Sequence, residues 1–285
     1  MLFWLLALFL AFAPGLVLLW YIRHIDRFEP EPWGTVWRAF LAGCLSVIPA
    51  LAIEWLLHKE SSTVLSTAYQ AFIVAALTEE VCKGGAGMLA IWRRPEFNEV
   101  MDGIVYFGVA HMGFAITENL TWIFIRSGGE VQTALMTGFV RTTTAVPLHV
   151  INGMIMGFEL GMARYAKNWR QRLLHIGKAI LYPVLLHGFY DVFVMNEVQI
   201  HTMTDLIRAG FGAAGMYAMV AVLWMVLLPR VREAQDVSPF RPHDSAVLAV
   251  APEACTQCGA AYPSGANFCH MCGTAVVAQQ SAPGS

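Results

Sequence analysis

The stretch LFWLLALFLAFAPGLVLLWY, residues 2–21, contains no charged side chain. A helix of about 20 apolar residues is long enough to cross the hydrocarbon core of a bilayer. No basic residue precedes this run, and no small-residue cleavage site separates it from Arg23. We therefore predict a retained membrane helix and not a cleaved signal peptide.

Six further stretches of the chain are also long and predominantly apolar. Hydrophobic residues make up 57% of the 285 residues and charged residues only 13%, whereas soluble domains carry about 25% charged residues. We predict an all-α, polytopic transmembrane bundle of about seven helices. The predicted helices cover residues 2–21, 35–57, 66–92, 101–125, 132–162, 176–197 and 206–228. The fifth contains Pro147, which is expected to kink or break it.

The basic residues are concentrated in the loops on one side of this bundle. Lys and Arg collect in cytoplasmic loops of membrane proteins. One side holds Arg23, Arg27, Arg38, Arg93, Arg94, Arg164, Lys167, Arg170, Arg172, Lys178, Arg230 and Arg232, and the other holds Lys59, Arg126 and Arg208. We predict a bacterial inner-membrane protein with the N-terminus outside and the C-terminus in the cytoplasm. Because the basic residues are spread over loops, no nucleic-acid partner is expected.

Four cysteines near the C-terminus form a separate motif, CTQCGAAYPSGANFCHMCG, residues 255–273. Two CxxC pairs (Cys255 with Cys258, and Cys269 with Cys272) predict a four-thiolate zinc site, and the reducing cytosol favours metal binding over disulfides. Gly259 and Gly273 follow the pairs, where the turn favours positive φ. The site has no open position, so its role is structural or partner-binding.

These signals divide the chain into four parts. We predict a membrane core at 1–232, a linker at 233–254, a zinc ribbon at 255–273 and a disordered tail at 274–285. A cytosolic protein is a candidate partner of the ribbon.

Ionisable residues inside the apolar stretches are the strongest functional signal. Each costs about 2.5–3.5 kcal/mol at a helix centre on insertion scales. The candidates are Glu79, Glu80 and Lys83 on the third helix, Glu118 with Phe114 and Asn119 on the fourth, Arg141 and His149 on the fifth, and His187 and Asp191 on the sixth. Any one of these residues alone could be structural, as Glu80 paired with Lys83 would be. Together they predict a functional polar centre in the membrane.

Three motifs follow one another in order: EEVCK at 79–83, FAITE at 114–118 and HGFYD at 187–191. They match the pattern EExxK, FxxxE, HxxxD. The chain resembles the PrsW family of intramembrane proteases, within the superfamily of CAAX prenyl endopeptidases and bacteriocin-processing membrane proteins. RHIDRFEPEPW at 23–33, MDGIVYFG at 101–108 and RTTTAVPLH at 141–149 also resemble that family. The resemblance covers about residues 15–200.

The resemblance implies peptide-bond hydrolysis in or near the membrane. Its implied catalytic residues are Glu79, Glu80, Glu118, His149, His187 and Asp191, supported by Lys83. In the CAAX relatives the second motif ends in His and the last in Asn, where this chain has Glu118 and Asp191. The implied substrate is a membrane protein or peptide, such as a single-pass anti-sigma factor after a first extracytoplasmic cut.

The chemistry leaves two mechanisms open. Glu79 and Glu118 can share a proton so that one acts as base toward water, while His187, oriented by Asp191, donates to the oxyanion. A divalent metal bound by Glu and His is the alternative. No HExxH motif is present, so the metal-free glutamate mechanism is preferred.

Two other classes of function compete with the protease. Buried Glu, His and Asp residues also serve ion- or proton-coupled transporters, although the chain shows no inverted repeat. An inactive scaffold that presents the ribbon is the third interpretation, against which the complete set of acids and histidines argues.

Overall fold

The computed structural model describes residues 2–59, 63–195, 203–241, 253–262, 269, 271–272 and 274. Helices form nearly all of this part of the chain. They are α1 Leu2–Ile25, α2 Trp33–Leu57, α3 Val64–Tyr69, α4 Thr78–Ile91, α5 Val100–Leu120, α6 Val131–Thr143, α7 Ala145–Arg164, α8 Trp169–Met195 and α9 Met203–Asp236. Two π-helical segments, Gln70–Leu77 and Thr121–Arg126, continue α3 into α4 and extend α5.

The predicted all-α membrane bundle is confirmed. Six helical segments are long and apolar enough to cross a bilayer: Phe3–Ile25, Trp33–Leu57, Val100–Ile125, Val131–Arg164, Trp169–Met195 and Gly210–Asp236. The third predicted helix is also present, as an uninterrupted run through 64–91. It falls outside this set because Glu79, Glu80 and Lys83 make it less apolar than the others.

Helices α5 and α7 form the buried centre of the bundle. They approach so closely that a methyl group on Gly103 would overlap the backbone oxygen of Gly157. Helix α2 meets α5 in the same way, since a methyl group on Gly43 would overlap the backbone of Ala110. Small residues allow such backbone contact between membrane helices. The other helices surround this pair, so side chains of α5 and α7 face neighbours and not lipid.

The long fifth span is broken, as Pro147 predicted. Helix α6 ends at Thr143 and α7 begins at Ala145, while Thr144 between them has φ −125° and ψ −60°. Proline has no N–H to bond the carbonyl four residues earlier, and its ring clashes with that group. For Pro147 that group is the carbonyl of Thr143, so the break falls where the hydrogen bond would be lost.

The π-helical segments flank two of the acidic motifs. Gln70–Leu77 ends two residues before Glu79, and Thr121–Arg126 begins three residues after Glu118. π-Helical turns are rare and occur frequently at functional sites. Here they change the number of residues per turn just before Glu79 and just after Glu118.

The last helix extends into the predicted linker. Helix α9 runs to Asp236, because Val231 and Ala234 are buried against the bundle. Gln235 Nε2 also donates to the carbonyl of Ile25 at 2.8 Å. The remaining linker residues 242–252, and the predicted tail apart from Thr274, lie outside the described residues.

The motifs at 23–33 and 101–108 meet at the end of the bundle opposite the polar centre. Arg23 donates to the carbonyl of Glu31 at 2.8 Å, and the Tyr106 hydroxyl donates to the Glu31 carboxylate. Burial and the neighbouring charge of Asp102 raise the pKa of Glu31 well above its usual range. These contacts fasten the α1–α2 loop to α5.

Candidate active site

A cavity of about 360 Å³ lies among the motif residues. Its walls come from the second halves of α2, α5 and α8 and the first half of α4, together with residues on both sides of the α6–α7 break. Successive spans alternate in direction, so these parts all lie in the same half of the bundle. The polar lining residues are Glu54, Glu79, Glu118, Thr121, Trp122, Arg141, His149, His187, Tyr190 and Asp191.

Lys83 is the buried cation of the site. Its ammonium donates to Glu80 Oε1 at 2.7 Å and to Glu79 Oε2 at 3.2 Å, which are its i,i+3 and i,i+4 neighbours on the helix. Its third contact is His149 Nδ1 on α7, at 2.9 Å. The Phe114 ring lies 4.6 Å from the ammonium. All three N–H groups of Lys83 are therefore used.

His187 is held by Glu80. Its Nδ1 lies 2.8 Å from Glu80 Oε1, so Nδ1 carries the proton and donates it. The other ring nitrogen, Nε2, lies 3.4 Å from Asp191 Oδ2 and 3.8 Å from Glu79 Oε2. Asp191 Oδ2 is buried and makes no hydrogen bond. In a neutral His187, the free lone pair of Nε2 and two carboxylate oxygens thus converge on one point.

Glu118 is surrounded by donors. Arg141 pairs with its Oε2 at 2.7 Å, His149 Nε2 lies 3.0 Å from the same oxygen, and Trp122 Nε1 donates to Oε1 at 2.9 Å. Arg141 Nε donates to Asn119 Oδ1 at 2.8 Å. A carboxylate that pairs with an arginine and faces two N–H groups is stabilised in its ionised form. This environment favours a fixed anion over a proton shared with Glu79.

The donor atoms of Glu79, His149 and His187 lie within 4.8 Å of one another, close enough to hold one metal ion. One carboxylate and two imidazoles are ligands typical of catalytic zinc. The contact from Glu80 to His187 Nδ1 is the outer-shell hydrogen bond that such ligands usually make. Asp191 Oδ2, which makes no hydrogen bond, lies beside them and further fits a site for a cation.

The structure brings together all six predicted catalytic residues and the four supporting ones. It differs from the sequence expectation in one orientation, since Glu80 and not Asp191 contacts His187 Nδ1. Sequence reasoning missed Glu54, His111, Trp122 and Tyr190. His111 was detectable, because His111, Phe114 and Glu118 have the i, i+3, i+7 spacing of one helix face.

The C-terminal cysteines form a second cluster. Strands β1 Glu253–Ala254 and β2 Ala261–Tyr262 pair antiparallel, and Gly259 in the turn has φ +73° as predicted. Two Sγ–Sγ distances, Cys255 to Cys272 and Cys258 to Cys269, are 3.6 Å. A tetrahedron of sulfurs about 2.3 Å from zinc has edges of about 3.8 Å. The cluster therefore has the size of a zinc site.

Comparison with known proteins identifies the family. The model of the "PrsW family intramembrane metalloprotease" matches residues 31–228. Protease PrsW of Geobacillus kaustophilus is 33% identical over 223 residues, covering 78% of this chain and 89% of the relative. Protease PrsW of Bacillus subtilis is 34% identical over 187 residues, covering 66% and 81% respectively. That of Clostridioides difficile is 33% identical over 192 residues, covering 67% of this chain and 79% of the relative.

No solved structure matches the chain. The motifs, the polar cavity and these relatives agree that the chain belongs to the PrsW family of intramembrane metalloproteases.

Proposed function

We propose that the chain hydrolyses a peptide bond of a membrane-protein substrate in the polar cavity, with Glu79, His149 and His187 holding a divalent metal ion. The observation that carries this proposal is the convergence of their three donor atoms within 4.8 Å, inside a cavity of about 360 Å³. The sequence alone favoured a metal-free site. The donor set and the family's description as a metalloprotease support a metal instead.

The metal would supply Lewis-acid chemistry, lowering the pKa of water and polarising a carbonyl oxygen. Glu79 and His187 fit it directly, because His187 Nε2 and Glu79 Oε2 face each other at 3.8 Å. His149 fits after one change. Lys83 donates to its Nδ1, so Nε2 carries the proton that now lies toward Glu118. For Nε2 to become a metal ligand, it must lose this proton. In the neutral ring the proton then lies on Nδ1, so Lys83 can no longer donate to that atom.

The other polar residues have separate roles in the proposed reaction. Asp191 Oδ2 is a buried acceptor without a hydrogen bond, and it is placed to take the proton of the attacking water. Arg141 lines the cavity with a positive charge and is placed to stabilise the developing oxyanion. Glu118 holds Arg141 and His149 in place. The test of this site is the loss of cleavage when Glu79 or His187 is replaced.

We further propose that the cavity lies in the outer half of the membrane. The support is the Lys/Arg bias, which favours an outside N-terminus and a cytoplasmic C-terminus. The walls from α2, α5 and α8 then lie toward their outer ends. The substrate is a membrane protein, of which an anti-sigma factor is one candidate, and the scissile bond lies near the outer end of its membrane helix.

This topology predicts the behaviour of reporter fusions. A fluorescent protein fused after residue 241 should fluoresce, and alkaline phosphatase fused there should be inactive, since α9 ends at Asp236. A phosphatase fusion after Gly129 in the α5–α6 loop is the matched control and should be active. Phosphatase activity after residue 241 would reverse the proposed orientation.

We also propose that the ribbon cysteines bind one zinc ion. A peptide of residues 250–275, kept reduced, should bind one equivalent of zinc, because four thiolates complete a tetrahedral site. Metal analysis after gel filtration measures the ratio. The same peptide with Cys255→Ser and Cys269→Ser should bind far more weakly. A ratio near zero for the unmodified peptide would refute the site.

A further inference from the structure

His111 is a fully buried histidine of α5 that stands outside the three family motifs. Its Nδ1 lies 2.9 Å from the carbonyl oxygen of Phe107, one turn earlier on the same helix. Its Nε2 lies 3.1 Å from Glu80 Oε2 on α4. Both ring nitrogens therefore have a polar partner, although the ring does not line the catalytic cavity.

These two contacts determine how the ring must be placed. A carbonyl oxygen only accepts, so Nδ1 carries a proton and donates it to Phe107. Nε2 and Glu80 Oε2 then share a second hydrogen, carried by one of the two atoms. In either case His111 holds one oxygen of Glu80 at a fixed position in the interior.

The other oxygen of Glu80 faces the reacting groups. Glu80 Oε1 accepts from Lys83 at 2.7 Å and from His187 Nδ1 at 2.8 Å. The bond to His187 Nδ1 selects the tautomer whose Nε2 lone pair faces the cavity. The orientation of Glu80 therefore decides whether that lone pair is available there.

Gly153 of α7 leaves the space that the His111 ring occupies. A methyl group on Gly153 would lie 2.5 Å from Cγ of His111 and would also overlap the carbonyl oxygen of Phe107. The ring thus occupies a space between α4 and α7 that exists only because residue 153 has no side chain.

We propose that His111 is a positioning residue for proteolysis, which fixes Glu80 and, through it, the Nδ1-protonated form of His187. This inference rests on the proposed active site. The contacts run from His111 on α5 to Glu80 on α4 and from Glu80 to His187 on α8. The hydrogen-bonding partners of His111 are Phe107 and Glu80, and neither is a proposed metal ligand.

The test compares His111→Leu with His111→Gln in the full-length protein, purified in lipid nanodiscs. The probe is a single-pass membrane reporter that the wild type cleaves. His111→Leu removes the contact to Glu80, and we expect kcat to fall about 10- to 100-fold with KM close to wild type. The Gln amide nitrogen can donate to Glu80, so His111→Gln should recover most of kcat. A ¹⁵N spectrum of histidine-labelled protein should show a changed His187 tautomer only in His111→Leu.

Other outcomes separate this inference from the proposed active site. If His111→Leu does not fold, His111→Phe takes its place, since a phenyl ring fills similar space and cannot hydrogen-bond to Glu80. Wild-type kcat in the folded variant would overturn the role of His111, as would equal losses in the Leu and Gln variants with an unchanged His187 spectrum. Glu79→Gln is measured alongside, and full activity in that variant would instead place the active site elsewhere.

Discussion

Glu79→Gln and His187→Ala are each expected to lower cleavage of a membrane reporter at least about a hundred-fold. Both residues line the cavity, and their donor atoms belong to the cluster that the proposed mechanism uses. Gln keeps the size of Glu79 and its contact with Lys83 but loses the charge, so the protein should still accumulate in the membrane. The measurement is the cleavage rate divided by the amount of folded protein.

A histidine on the same helix provides the control. His175 also lies on α8 and contacts a buried glutamate, Glu159, at 2.7 Å, but it does not line the cavity. His175→Ala should therefore retain activity per folded molecule. Normal cleavage by both Glu79→Gln and His187→Ala would remove the cavity as the site of hydrolysis.

Lys83→Ala should have a different effect from both. Lys83 is the cation between Glu79 and Glu80, and its removal leaves two buried carboxylates without their shared partner. Breaking a buried pair by removing one partner typically costs about 3–5 kcal/mol. We expect loss of protein from the membrane as well as loss of activity. Quantitative blotting of the membrane fraction distinguishes this result from a purely catalytic defect.

Removal of metal is the second prediction with a large effect. In a full-length protein with Cys255, Cys258, Cys269 and Cys272 all changed to Ser, a strong chelator should lower the cleavage rate on the order of a hundred- to a thousand-fold. Metal catalysis contributes several kcal/mol, and each 1.4 kcal/mol is a factor of about ten. Added zinc should restore the rate.

The serine background separates the two clusters. Without the ribbon thiols, zinc recovered with the protein comes from the membrane core, and its content should fall together with activity. Glu79→Gln in the same background should bind zinc more weakly. Full cleavage by protein whose metal content is near zero would restore the metal-free mechanism, with Glu79 as base and His187 as oxyanion donor.

Local sequence was sufficient for much of this molecule. Apolar runs of membrane length predicted the bundle, because backbone groups in lipid must satisfy their hydrogen bonds within a helix. The spacing of Glu80 and Lys83 predicted their ion pair, and Pro147 predicted the break before α7. The two CxxC pairs predicted a compact sulfur cluster. Each of these features depends on residues that are close in the chain.

Contacts between distant residues needed the tertiary structure. Glu80 and His187 are 107 residues apart, and the sequence placed Asp191 against His187 because it lies one turn away on the same helix. Helical periodicity shows which side chains share a face but not which faces of different helices meet. His111 was overlooked because its partner, Glu80, lies on another helix.

The amino-acid sequence by itself determined that this chain crosses the membrane, which charged residues lie within its apolar segments, and that a cysteine cluster lies near its C-terminus. Only the packing of α4, α5, α7 and α8 decided that Glu79, His149 and His187 share one cavity while Glu80 and His111 stand behind them. The physical reason is that glycines such as Gly103, Gly153 and Gly157 set how closely and at what rotation α5 and α7 meet. That rotation selects which polar side chains face one another across the bundle.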